Sequence, residues 1–126
     1  MSSRTVWIIG VLGALWNLIG VVSYLAHVGL FGAEAATPPP GAAPMPLAIT
    51  SAFAIAVWSG LAGSIGLALL QRWAAPVLWV SFVASVIDWV WVLGYGAGQV
   101  PLGIAVIVIA LALAIVAGRA PRAAGA

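Results

Sequence analysis

Asp88 is the residue in this chain best placed to do chemistry. It lies inside the apolar stretch 75–95, with Ser81 and Ser85 before it and Tyr95 after it. At helical spacing these four share one stripe. A second polar residue, Asn17, lies inside the apolar stretch 6–26. If both stretches cross a bilayer, Asp88 lies ~20 Å in from the start of its helix, at a depth similar to that of Asn17. An ionisable group there costs on the order of 2.5–3.5 kcal/mol and faces the bundle interior by default. No Lys or Arg falls inside any apolar stretch at that depth. Asp88 then has three outlets. It carries a proton and is neutral, it hydrogen-bonds Asn17, or it meets a cation or partner from outside the chain.

Other chemistry is thinly represented. The chain has no cysteine, which excludes thiolate metal sites and cysteine nucleophiles. Its one histidine, His27, reads as a solvated residue of a loop that also holds Glu34. Neither is accompanied by a nucleophile, a metal-ligand spacing or a second haem ligand. The sequence therefore predicts no catalytic residue, no metal site and no enzyme activity, and it identifies no cofactor. The pI near 10 comes from four arginines against one Asp and one Glu. They are scattered singly, whereas a nucleic-acid surface needs a basic cluster.

The elements that must position Asp88 follow from composition. Of 126 residues, 65% are hydrophobic and 5% charged. Soluble domains carry about a quarter charged residues, so the main partner of this surface is a lipid bilayer. A spanning helix needs ~20 apolar residues. Four stretches meet or approach that length: 6–26, 47–70, 75–95 and 101–117. The predicted fold is an all-α, integral-membrane four-helix bundle of up-down-up-down order, one domain over residues 1–126. The fourth span covers ~25 Å and would sit upright or in thinned lipid. Pro46, Pro76 and Pro101 fall at or near the first turns of spans two to four, where a missing N–H costs nothing. Residues 27–46 form an Ala-, Gly- and Pro-rich loop, with an extended polyproline path through Thr37-Pro38-Pro39-Pro40-Gly41. Residues 118–126 form a short tail.

Arg4, Arg72, Arg119 and Arg122 all fall on one side of this arrangement, and the other side has no Lys or Arg. Cytoplasmic loops hold the excess of Lys and Arg. Both termini are expected in the cytoplasm and the loop 27–46 on the opposite side of the membrane. A secretory signal has an apolar region of ~7–15 residues. The first apolar run is longer and is read as an uncleaved helix.

Small residues mark the expected contacts. Gly13, Asn17 and Gly20 share a face of the first span, and Ser59, Gly60, Gly63 and Ser64 form two small-xxx-small pairs in the second. Such faces let helix backbones approach in lipid, where packing supplies the attraction. Gly13, Asn17 and Gly20 are expected to meet Ser59, Gly63 and Gly66. Seven tryptophans are present. Trp7, Trp73 and Trp79 suit the inner interface, with Tyr24 and Tyr95 at the outer one. Trp16 and Trp58 fall near mid-membrane, where at least one should pack against another helix, a ligand or a partner chain. Asn17/Tyr24 and Asp88/Tyr95 share a spacing of seven, a faint sign of a duplicated hairpin.

Residues 57–77, VWSGLAGSIGLALLQRWAAPV, together with VLGALWN at 11–17, resemble a widespread family of small four-helix bacterial membrane proteins, sometimes loosely labelled sugar transporters. The resemblance covers the first three spans. It implies the fold and an inner-membrane location and carries no activity. In that family an acidic residue often precedes the tyrosine of the first helix. Ser23 stands there in this chain, and the intramembrane acid is Asp88. Two functions are therefore expected. The leading one is a non-enzymatic interaction protein, either a homo-oligomer or an accessory subunit of a larger membrane complex. The rival is a small proton-coupled transporter using Asp88.

Overall fold

The structure is a computed structural model and describes residues 1–37, 40–41, 43–95 and 100–121. Five helices follow in chain order: α1 (Ser3–His27), α2 (Ala33–Ala36), α3 (Leu47–Ala68), α4 (Ala74–Tyr95) and α5 (Val100–Arg119). The described residues contain no strand. The four long helices are each long and apolar enough to cross a membrane. They form an all-α bundle in which α3 packs between α1 and α4, and α5 packs on α4.

Helix ends explain where the observed bounds differ from the expected ones. α3 stops at Ala68, two residues before the expected end at 70. Gln71 N donates to Gly66 O at 2.9 Å and Leu70 N to Leu67 O at 3.0 Å, the paired bonds of a Schellman cap. That cap puts Leu70 at φ 58, a conformation usually left to Gly. Leucine there gives no stop sign in the sequence. α5 runs 20 residues, or ~30 Å. It is three residues longer than the expected 101–117, which brings it to the length of an upright span. Pro46 lies just before α3 as its N-cap, while Pro76 and Pro101 lie inside the first turns of α4 and α5.

The 27–46 segment holds a short helix before the stretch expected to be extended. α2 makes one helical turn within it, entered at Gly32 with φ 104. Ala43 N then donates to Tyr95 O at 3.3 Å, tying the segment to the end of α4. The expected polyproline path falls partly on Pro38 and Pro39, which lie outside the described residues. Arg4, Arg72 and Arg119 share one end of the bundle, as the alternating directions require. Arg122 and most of the expected tail lie outside the described residues.

The outer surface is apolar, with Leu12, Ile19 and Val90 each more than 60% exposed. Such a surface is an aggregation hazard in water and suits hydrocarbon. A tightly buried apolar cluster lies at the arginine end, and Val21, Ala52 and Ala56 are buried further along the bundle. Val6, Leu67, Leu78, Leu113 and Ala114 belong to that cluster.

The α1–α3 contact runs Gly10 to Ala68, Gly13 to Ser64, Asn17 to Gly60 and Gly20 to Val57. This corrects the expected partners of Gly13, Asn17 and Gly20. Gly63 instead meets Leu78 of α4, where an added Cβ would lie 2.6 Å from the side chain, and Gly66 meets Trp73. Ser59 is half-buried and donates its hydroxyl to Ile55 O within its own helix. The depth was right to about one residue, but one residue turns a helix face by ~100°.

Gly60 is the tightest point, because an added Cβ would collide with the Asn17 carboxamide and lie 2.9 Å from Ser81 Oγ. Gly60→Ala should cost about 1–3 kcal/mol by overpacking. At Gly118 an added Cβ meets nothing within 4 Å, and Gly118→Ala should be neutral or slightly stabilising. Thermal unfolding in detergent checks this. Equal midpoints for the two variants contradict the contact.

Candidate functional site

α4 turns its polar stripe inward. Ser81, Ser85 and Asp88 are 3%, 4% and 6% exposed. Their spacing of four and three residues keeps them on one side of the helix. Each polar group must then find a partner inside the bundle or go without. Ser81 Oγ donates to Ala56 O of α3 at 2.7 Å. Ser64, fully buried, accepts a long bond of 3.5 Å from Asn17 Nδ2. Asn17 Nδ2 also donates to Gly13 O at 2.8 Å.

These bonds decide the fate of Asp88. The Asn17–Asp88 hydrogen bond, one of the three outlets open to Asp88, is not made, because the Asn17 amide is turned onto α3 against Gly60 and Ser64. Asp88 Oδ1 is buried and has no hydrogen-bond partner among the described residues. Leaving a buried acceptor unsatisfied costs about 1–3 kcal/mol, and more if it is charged.

Asp88 is not sealed in apolar packing. It lies in the wall of a cavity of about 410 Å³. α1 contributes Trp16, Asn17, Gly20 and Ser23, α3 contributes Phe53, Ala56 and Val57, α4 contributes Ser85 and Trp89, and α5 contributes Leu102 and Val106. Met45, from the segment before α3, covers the end away from the arginines. The cavity exists because α1 and α5 meet near Gly13 and Leu113 and touch only sparsely elsewhere. A smaller void of about 20 Å³, lined by Asn17, Ser81 and Ser85 among others, lies next to it and shares Trp16 and Val106. That is room for one water with polar partners.

The structure thus brings Asp88, Asn17, Ser85 and Trp16 to one cavity and leaves Trp58 outside, 47% exposed. Gly13, Gly60 and Ser64 serve the α1–α3 contact beneath it. Trp89, Phe53, Ser23 and Met45 are wall residues that sequence reasoning missed. Trp89 follows Asp88 directly, but neighbours on a helix point ~100° apart, so adjacency was no signal. Phe53 lies one turn from Val57 on α3, the only spacing that could have pointed to it.

His27 differs from expectation. It is the last residue of α1 and half-buried, with its ring 5.9 Å from Phe53. Tyr24 makes an edge contact with the same ring at 5.4 Å. His27 is therefore part of an aromatic cluster and not a solvated loop residue. Glu34 is exposed on α2. Among the described residues no group of three His, Cys, Asp or Glu side chains could hold a metal ion. Comparison with protein-family models, curated proteins and solved structures gave no match.

The geometry separates two polar residues that looked like partners. Asn17→Ala should lower stability by about 1 kcal/mol through its lost bonds. Asp88→Leu should cost nothing, because it removes an unsatisfied group and leaves Asn17 bonded. Denaturation of both variants in detergent tests this. A larger loss for Asp88→Leu than for Asn17→Ala contradicts the assignment.

Proposed function

We propose that this chain is a multi-pass protein of a bacterial inner membrane that works as a small proton-coupled carrier, with its cargo site in the cavity at Asp88. The single observation behind this reading is the buried, unpartnered Asp88 Oδ1 in the cavity wall. An ionisable residue at membrane depth is costly and by default serves a pathway or a ligand. Among the described residues no side chain offsets that cost, and the compensating group in this reading is one that comes and goes. A proton and a cargo molecule are both able to fill that role. Both termini lie in the cytoplasm, since Arg4, Arg72 and Arg119 gather at one end of the bundle. The cavity then sits towards the periplasm and the packed core closes it from the cytoplasm. The sparse α1–α5 seam is the line along which the bundle opens. The resemblance to small four-helix inner-membrane proteins agrees with this location.

A second reading is an accessory subunit or homo-oligomer without enzyme activity. The observation favouring it is Trp58, 47% exposed near mid-membrane on α3. A buried tryptophan N–H normally finds a partner, and another membrane chain would supply one.

Purification in mild detergent separates the two. The carrier reading expects small molecules that raise the thermal midpoint of the parent chain but not of Val106→Trp, which fills the cavity. A C-terminal reporter should be active in the cytoplasm. A stoichiometric complex with another membrane protein, with no cavity-dependent stabilisation by any compound, would favour the second reading and remove the first.

A further inference from the structure

The cavity holds an acceptor that no described donor reaches. Asp88 is 6% exposed and its Oδ1 is unpartnered. Among the described residues no Lys, Arg or His lines the cavity, and the Asn17 amide donates to Gly13 O and Ser64 Oγ. Trp16, Trp89 and Phe53 form the aromatic part of the same wall. An aromatic face attracts a positive charge through its quadrupole, and more strongly where water is excluded. One carboxylate among aromatic walls is the complement of a single positive charge carried on an apolar body.

We propose that the cavity binds a lipophilic organic monocation, its cationic head against Asp88 and its apolar part among Trp16, Trp89 and Phe53. This inference rests on the reading of the cavity as a cargo site and names the class of cargo. Alternatives fit less well. An anion would meet Asp88 as a like charge with no cationic side chain to offset it. A bare divalent cation needs about six or more oxygen ligands, and the wall offers one carboxylate, one carboxamide oxygen and two serine hydroxyls. A sugar needs many polar groups around it, and most of this wall is apolar. A volume of about 410 Å³ falls within the range that encloses small organic ligands, roughly 300–1,000 Å³. Binding such a cation and holding a proton are mutually exclusive at one carboxylate, which is how the two would be coupled in a carrier.

The test uses two probes of one shape. Benzyltrimethylammonium and neopentylbenzene differ only in a quaternary nitrogen replacing a carbon. Each is titrated into the full chain in phosphatidylcholine nanodiscs, with empty discs as the blank, and binding is read by tryptophan fluorescence. The parent should bind the cation at least about tenfold more tightly than the neutral isostere, as ion pairing with Asp88 and cation–π contact with the aromatic wall imply. Asp88→Asn should lose that preference and keep its affinity for the neutral probe. Trp16→Leu should weaken the cation more than the isostere. The parent comparison decides the matter even if a variant does not fold. Equal affinity for both probes, abolished in Val106→Trp, would overturn the cation assignment and leave the cavity as a ligand site. Binding of neither probe would overturn the cation assignment and the cargo-site reading together.

Discussion

Helices in hydrocarbon gain little by hiding apolar side chains from one another, so close backbone approach and internal hydrogen bonds must hold them together. The α1–α3 contact is where this chain meets that constraint. Gly10, Gly13 and Gly20 bring α1 against α3, and Gly60 accepts the Asn17 carboxamide. The Asn17 amide is bonded within that contact to Gly13 O and Ser64 Oγ. Ser81 extends the same logic to α4 by donating to Ala56 O. Three helices are thereby fixed side by side, and α5 is held chiefly by α4.

The consequences reach the site. With Asn17 engaged in the seam, Asp88 Oδ1 is left without a partner among the described residues. With α5 anchored to α4 and meeting α1 at Leu113, the bundle is filled at the arginine end and hollow beyond it. Trp16 and Trp89 are large enough to wall that hollow but do not fill it. The cavity and the unsatisfied acid therefore have one origin, a seam that uses up the polar partner.

Much of the fold was legible in the residues because hydropathy and length decide it. Four apolar stretches near twenty residues become four long helices within two or three residues of their expected bounds. The inward stripe of Ser81, Ser85 and Asp88 was legible from helical spacing alone. The partners of the small residues were not. Depth fixes the level of Ser59 and Gly63, but rotation about the helix axis decides what each one touches. Gly63 proved to face α4 and Gly66 to face Trp73 in the turn before it, while the Ser59 hydroxyl bonds within its own helix. The cavity was illegible because it depends on two helices failing to meet, and no local pattern encodes that. Leu70 in a left-handed conformation and the turn of α2 had no sequence mark either. His27 was misplaced because Phe53, which it packs against, lies 26 positions away in sequence.

The chain lacks cysteine, so single cysteines can report where the bundle is hollow. The direct measurement is the rate at which a small water-soluble thiol reagent labels Asp88→Cys, Ser85→Cys and Leu67→Cys in reconstituted vesicles. Cysteines at 85 and 88 should react and be slowed by the Val106→Trp filling, while the one at 67, in the packed core, should stay unlabelled. Equal labelling at all three positions, or none at 88, would contradict a cavity that opens onto Asp88.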